Sequence, residues 1–346
     1  MTSNRWTDFR SGLRDVLGTR IELRLGDPID SEIDRRLAIL VPGDRPGRGL
    51  TPSRHHCLTA LPRIDARHDA GTLGTGMAHF LRAVSTAWSG PPGPKLRLLP
   101  DRIELGQLSS PGRDDRRLRI GVDERALETV WLDADDDPHL LVFGDRDSGK
   151  SGLLRTYLRE VMRTRTPDQA QIMVVDYRRS LLGEVLQSYL VGYAANAATA
   201  APQAADMASY LRRRIPGTDV TPEQLRSRSW WTGKELFLII DDYDLVATSQ
   251  GSPLLPFADL LPVATDIGLH VVLARRAGGA SRALHEPIIQ SLRDLGSPGL
   301  LLSGNPDEGP LLDRVRPVPA LPGRARLVRR GEQPAVMQVA WTDPAG

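Results

Sequence analysis

Residues 144–151 read GDRDSGKS, which sets two glycines, a lysine and a serine at the spacing G-x-x-x-x-G-K-[S/T]. Placed between a strand and a helix, such a loop turns its backbone N–H groups and the helix N-terminus toward a phosphate chain. On this pattern Gly144, Asp147, Ser148, Gly149, Lys150, Ser151 and Gly152 form the nucleotide-contacting set. The Lys150 ammonium reaches the β- and γ-phosphates of ATP, and the Ser151 hydroxyl ligates Mg2+. A second stretch, ELFLIIDDYD (235–244), closes an apolar run on two carboxylates. Asp241 falls where a strand-end carboxylate holds the magnesium through its water shell. Asp242 takes the place where hydrolytic motors carry a glutamate that orients the attacking water. Its side chain is one methylene shorter, and roughly 1 Å of misplacement costs on the order of a hundredfold in rate. A third run, LHVVLARRAGG (269–279), ends on Arg275 and Arg276. Arg276 suits a sensor group facing the γ-phosphate, and a solvated strand end fits the pair equally well.

The loop is unusual in its charge. Asp147 stands where glycine is often found, although aspartate tolerates a left-handed backbone better than most residues. A carboxylate about 5 Å from a phosphate charge, at an effective dielectric near 20, costs on the order of 3 kcal/mol unless it turns away. Asp145 adds to this and Arg146 offsets part of it. The expectation is a loop that forms but binds nucleotide weakly or with a strong need for magnesium, and hydrolyses it poorly.

Bulk composition excludes several classes. A net charge of +2 over 346 residues asks for no polyanionic partner. Only three of the 45 basic residues are lysines, Lys95, Lys150 and Lys234, a bias that genome composition explains. One of those three falls at the phosphate-binding position. The single cysteine, Cys57, rules out an internal disulfide or a cysteine zinc site. No apolar run approaches a membrane span, and MTSNRWTDFR is not a signal peptide, so the expectation is a soluble chain without direct membrane insertion. His139 and His270 open apolar runs without metal partners at ligand spacing and read as structural.

The elements that position these groups lie from residue 139 onward. The runs 139–144, 171–176, 235–242, 269–274 and 299–304 are branched and apolar without alternation, as in strands buried on both faces. Amphipathic stretches separate them. SGLLRTYLREVMRTR (151–165) puts Leu154, Tyr157, Leu158, Val161 and Met162 on one face, and helices are also expected within 203–214 and 286–296. Strands alternating with helices imply crossovers and a mostly parallel sheet, an α/β fold. ARLVRR and VMQVAW around Gly331 read as a closing hairpin. Just before the 235–242 run, Trp230 and Trp231 serve either core and loop packing or a contact surface.

The N-terminal third carries a strand-like segment near 18–28, a helix at 77–88, a Pro/Gly joint at 89–94 and a polar loop at 109–117. Self-comparison explains part of it. GLRDVLGTRIELRLGDPIDSE (12–32) matches SLRDLGSPGLLLSGNPDEG (291–309), and VPGDRPGRGL (41–50) matches VPALPGRARL (318–327). Three landmarks keep their order. Residues 1–65 therefore read as the C-terminal tail of a preceding module, 66–120 as a connecting segment packing on the next one, and 121–346 as a complete module.

DPHLLVFGDRDSGKS, VVDYRRSLLGEV, RSWWTGKELFLIIDDYDLVATS, DIGLHVVLARRAGGASRAL and LPGRARLVRR together resemble the last ATPase module of the EccC family, the FtsK/SpoIIIE-type motors of type VII secretion. The N-terminal third is similar to the end of the module before it. The resemblance implies a RecA-like P-loop NTPase fold and a place in the bacterial cytoplasm, at an inner-membrane secretion complex. It also implies ATP and Mg2+ as ligands. The implied partners are the C-terminal signals of small helical Esx-type substrates, the preceding ATPase module, the membrane-anchored complex, and further copies on assembly. It carries the phosphate-loop role to Gly144, Gly149, Lys150 and Ser151, and the metal-holding role to Asp241. Asp147 and Asp242 depart from the family pattern. Three functions compete: a substrate-recognition module with a weak ATP site, a competent ATPase silent until a neighbour supplies an arginine, and a DNA translocase. Near-neutral charge and the lack of a basic aromatic patch disfavour the third, and no nucleic-acid partner is expected.

Overall fold

The computed structural model describes residues 2–91, 93, 97–110, 112, 115–248 and 251–345. Lys95 and parts of the expected 89–94 joint and 109–117 loop lie outside the described residues. The chain forms two compact units, Met1–Lys95 and Leu96–Gly346.

The first unit holds α1 (Ser11–Val16), β1 (Glu22–Leu23), α2 (Arg35–Ile39), β2 (Arg48–Leu50), β3 (His56–Leu58) and α3 (Leu73–Ala87). β1, β2 and β3 make a small antiparallel sheet. Its core is Ala38, Val41 and Leu50 with Ile33 and Leu37 against them. The expected strand near 18–28 shrinks to two residues, because Glu22 turns inward and accepts from the Ser31 hydroxyl at 2.6 Å and the Glu32 N–H at 2.8 Å. The expected 77–88 helix starts four positions earlier, at Leu73.

In the second unit the chain runs through β4 (Leu118–Asp123), β5 (Thr129–Leu132), β6 (His139–Phe143), α4 (Lys150–Thr164), β7 (Ala170–Asp176), β8 (Leu190–Ala194), α5 (Ala197–Arg212), α6 (Pro222–Ser227) and β9 (Glu235–Asp241). It continues through α7 (Tyr243–Val246), α8 (Ala264–Ile267), β10 (Leu269–Arg275), α9 (Ala280–Ala283), α10 (Pro287–Asp294), β11 (Gly299–Leu301), β12 (Arg324–Val328) and β13 (Ala335–Val339). One sheet takes all ten strands in the order β5-β4-β13-β12-β11-β6-β10-β9-β7-β8. From β11 to β8 every pairing is parallel, and from β11 to β5 every pairing is antiparallel. The α/β class with a RecA-like P-loop core is thus the observed fold.

The apolar runs become strands because both faces of the parallel half are covered. Leu141, Phe143, Leu238 and Ile240 pack with α5 and α10 on one face. Leu140, Val142, Phe237 and Ile239 pack with Leu153, Leu154, Tyr157, Leu158 and Val161 of α4 on the other. β8 went unread in the sequence. It is a sheet edge, half-exposed along most of its length and interrupted by Gly192, so no continuous apolar run marks it. β12 and β13 are the expected hairpin. The two halves of the internal repeat also share geometry: β1 pairs antiparallel with β2 as β11 does with β12, and β2 and β12 both begin on the arginine of a Pro-Gly-Arg triplet, Arg48 and Arg324.

Trp230 and Trp231 lie between α6 and β9, where each indole N–H meets a carbonyl, those of Arg214 at 2.6 Å and Asp266 at 2.7 Å. The packing reading fits both rings. No helix among the described residues is long and apolar enough to cross a membrane.

Thr156 on α4 fastens the chain after β13. Its buried hydroxyl donates to the Ala340 carbonyl at 2.8 Å and lies 2.9 Å from the Thr342 hydroxyl. Thr156→Val keeps the shape and strands that carbonyl, so urea unfolding should show a loss of about 1–2 kcal/mol. An unchanged midpoint would show that the tail contributes nothing to the fold.

Candidate functional site

The site forms at the carboxyl ends of β6, β10, β9 and β7, the edge where open α/β sheets place ligands. Residues 144–149 leave β6 and enter α4 as a tight loop. The Gly144 N–H donates to the Arg275 carbonyl at 3.1 Å, and the Asp145 N–H to the Ser303 carbonyl at 2.7 Å. A methyl at Gly144 would sit 2.4 Å from the Ser148 Oγ. Gly149 has φ +106° and would drive a side chain to 2.9 Å from the Gly323 nitrogen. Both glycines are therefore required by geometry. Gly152 meets nothing within that range and faces open space.

Lys150 is buried, and its ammonium donates to the Asp145 carbonyl at 3.0 Å. Ser148 is buried too, and its hydroxyl has no hydrogen-bond partner among the described residues. Ser151 donates to Oδ2 of Asp241 at 2.6 Å, joining the start of α4 to the end of β9. A hydroxyl and a carboxylate this close are the all-oxygen donor set that suits a hard cation such as Mg2+. Beside them opens a cavity of 560 Å3, with Gly149, Lys150, Ser151, Gly152, Ser180 and Trp341 among its walls. That volume lies in the range of small-ligand sites.

The acidic residues of the loop resolve differently from one another. Asp147 adopts the left-handed backbone, φ 58°, as its residue type allows. Its side chain is 89% exposed and lies 3.6 Å from Arg146, so its charge is screened by water. Asp145 instead turns back into the fold. Its Oδ1 accepts the Gly278 N–H at 3.2 Å and lies 3.9 Å from the Arg276 Nε. Asp147 also lines the cavity described above.

Asp242, also left-handed at φ 46°, points its carboxylate at the Arg178 guanidinium, 2.7 Å away. Burial and the neighbouring Asp241 push its pKa above the ordinary carboxylate range, against the pull of Lys150 and Arg178. Arg276 leaves its guanidinium mostly exposed beside Asp145, while Arg275 is buried and donates to the carbonyls of Arg276 and Gly279. So the structure brings Gly144, Asp147, Ser148, Gly149, Lys150, Ser151, Gly152 and Asp241 together. Of the expected site residues, Asp147, Gly149, Lys150, Ser151 and Gly152 line the cavity, whereas Gly144, Ser148, Asp241, Asp242 and Arg276 do not.

Several groups escaped the sequence reading. Asp176, fully buried at the end of β7, accepts from the Tyr193 hydroxyl at 2.8 Å and the Leu181 N–H at 2.7 Å. Ser180 donates to Asp241 at 2.9 Å. Arg102 stacks over the Trp341 ring at 4.6 Å on the far wall of the cavity. The only local signal was VVDYRRS, a strand closed by polar residues. His139 and His270 are buried, His270 stacking on Phe237 with ring centroids 4.2 Å apart. Among the described residues no cluster of His, Cys, Asp and Glu could hold a metal ion by itself.

Comparison with known proteins bears on this site. The chain is 49% identical over 343 residues to the ESX secretion system protein EccC of Thermomonospora curvata, covering 99% of this chain and 26% of that protein. It is 44% identical over 346 residues to the ESX-4 secretion system protein EccC4 of Mycobacterium tuberculosis, covering 99% and 27%. A solved structure of Thermomonospora curvata EccC, ATPases 2 and 3 in complex with a signal sequence peptide, matches with a TM-score of 0.84 at 49% identity, covering 99% of this chain and 61% of that one. No family model matches the chain. The chain spans about a quarter of the length of these curated relatives.

Proposed function

Because this chain is an ATPase module of the EccC family, of the FtsK/SpoIIIE type, we propose that it binds Mg·ATP as the last nucleotide-binding module of a type VII secretion motor and turns it over poorly when isolated. The observation that carries this reading is the buried Lys150, whose ammonium donates to the Asp145 carbonyl, beside the Ser151–Asp241 pair. In the proposal, the N–H groups of 147–152 and Lys150 receive the phosphates, and Ser151 and Asp241 face the magnesium. The metal supplies charge neutralisation at the phosphates. Asp242 and Arg276 take the water-orienting and sensor roles, the first shortened by a methylene and engaged by Arg178.

The same reading assigns residues 1–65 to the tail of a preceding module, with 66–120 as the connection to the module at 121–346. It places the chain in the cytoplasm at a membrane-anchored secretion complex, with assembly into oligomers. Its cargo is the C-terminal signal of small helical Esx-type substrates, supported by the peptide bound to the Thermomonospora curvata relative. Fluorescence anisotropy with a labelled C-terminal peptide of such a substrate tests the cargo assignment: saturable binding competed by unlabelled peptide is expected, and no binding at high micromolar chain rejects it.

Poor turnover has its own test. Asp242→Glu restores the missing methylene, and single-turnover hydrolysis should rise about ten- to a hundredfold. A variant as slow as the parent would place the block elsewhere.

A further inference from the structure

We infer that Ser180 is a positioning residue of this site, the group that fixes Asp241 for magnesium; this rests on the nucleotide-binding reading above. Ser180 lies on the turn that follows β7, not on either of the segments that the loop pattern and the strand-end carboxylate mark. Its hydroxyl donates to Oδ2 of Asp241 at 2.9 Å, the same oxygen that accepts from Ser151 at 2.6 Å. The other oxygen, Oδ1, accepts the Asp242 N–H at 2.9 Å. The carboxylate of a fully buried residue is thus held from three directions, and two of the three donors are hydroxyls on the wall of the 560 Å3 cavity.

Ser180 is itself held firmly. Its carbonyl accepts from the Arg155 guanidinium at 2.9 Å. Behind it, Asp176 gathers the turn through the N–H groups of Arg178 at 3.1 Å and Leu181 at 2.7 Å, with the Tyr193 hydroxyl at 2.8 Å. Ser180 Oγ also lies 3.3 Å from Oδ1 of Asp176. A hydroxyl has one proton to donate, and the shorter distance assigns it to Asp241. Asp176 has other donors, whereas among the described residues Asp241 has Ser151, Ser180 and one backbone N–H. Removing the Ser180 hydroxyl therefore loosens Asp241 specifically, and β7 with its turn becomes a support of the metal-facing oxygen atoms. Partners that orient a metal-facing carboxylate typically matter about tenfold or more in metal affinity.

The test compares the parent, Ser180→Ala and Ser180→Thr by calorimetric titration with ATP, once in magnesium and once in EDTA, with a thermal melt of each protein. The expected result is about a tenfold weaker affinity of Ser180→Ala in magnesium, an EDTA affinity within about twofold of the parent, and recovery in Ser180→Thr. Equal affinities of parent and Ser180→Ala in magnesium would overturn the inference alone. So would a loss of the same size in EDTA, or a lowered melt that Ser180→Thr shares, since both mean a collapsed turn. A parent that takes up no ATP overturns the nucleotide-binding reading, and this inference falls with it.

Discussion

Lys150→Ala lowers the affinity for Mg·ATP by about a hundredfold or more. The ammonium is buried, so its charge is not diluted by bulk water, and its hydrogen bond goes to a neutral carbonyl that a phosphate oxygen can outcompete. A charge-assisted bond of this kind contributes roughly 1.5–3 kcal/mol, and Coulomb attraction to the phosphates adds to it. Equilibrium dialysis with labelled nucleotide reads the change directly. The fold should survive, because the lysine joins no ion pair among the described residues and Asp145 keeps its bonds to Ser303 and Gly278. An alanine variant that binds as tightly as the parent would remove Lys150 from the site.

The second large effect is on stability in mild acid. Burial pushes His139 down to about 4 from its ordinary 6.5. His270 is pushed down to about 3 by burial and then by the nearby charges of Arg165. Its approach of 3.7 Å to Glu235 is accordingly a contact of a neutral ring. Both folded values lie below the unfolded one, so below pH 6.5 the unfolded chain binds more protons than the folded chain. Stability is fully present above about pH 6.5 and is lost as the pH falls toward 4. Two groups over two pH units correspond to roughly 5 kcal/mol between pH 6.5 and 4.5. Asp242 and Glu286, whose pKa values burial raises, act with the opposite sign in part of this range. Urea unfolding at pH 7 and pH 5 measures the slope. His270→Leu, which replaces a ring with no hydrogen-bond partner on either nitrogen among the described residues, should remove about half of it. A slope that this variant leaves unchanged would mean that His270 does not stay neutral in the fold.

The loop 144–151 was legible because its chemistry is local: glycines, lysine and serine at fixed spacing between an apolar run and an amphipathic one. β6, β9 and β10 were legible for the same reason, since burial on both faces leaves no room for polar alternation. What stayed hidden depends on contacts across the sheet. Nothing in the sequence indicates that Ser180, after β7, reaches Asp241 at the end of β9, or that Arg178 draws Asp242 aside. The direction of Asp147 was hidden as well. Its residue type allowed the left-handed turn, but only the fold decides that the side chain leaves toward water while Asp145 turns inward. The far wall of the cavity, where Trp341 after the last strand meets Arg102 ahead of β4, carries no motif at all. The parallel half of the sheet, its edge strand β8 apart, could be read from its residues, and the antiparallel half only from the closing hairpin inward.

The central claim is that this chain holds nucleotide through the cradle at 144–152. Calorimetric titration of Mg·ATP into the parent chain, repeated in EDTA, tests it most directly. A saturable heat in magnesium that weakens in EDTA is the predicted result. No heat at millimolar nucleotide, a free energy weaker than about −4 kcal/mol, would contradict it and leave peptide docking as the role still to be tested.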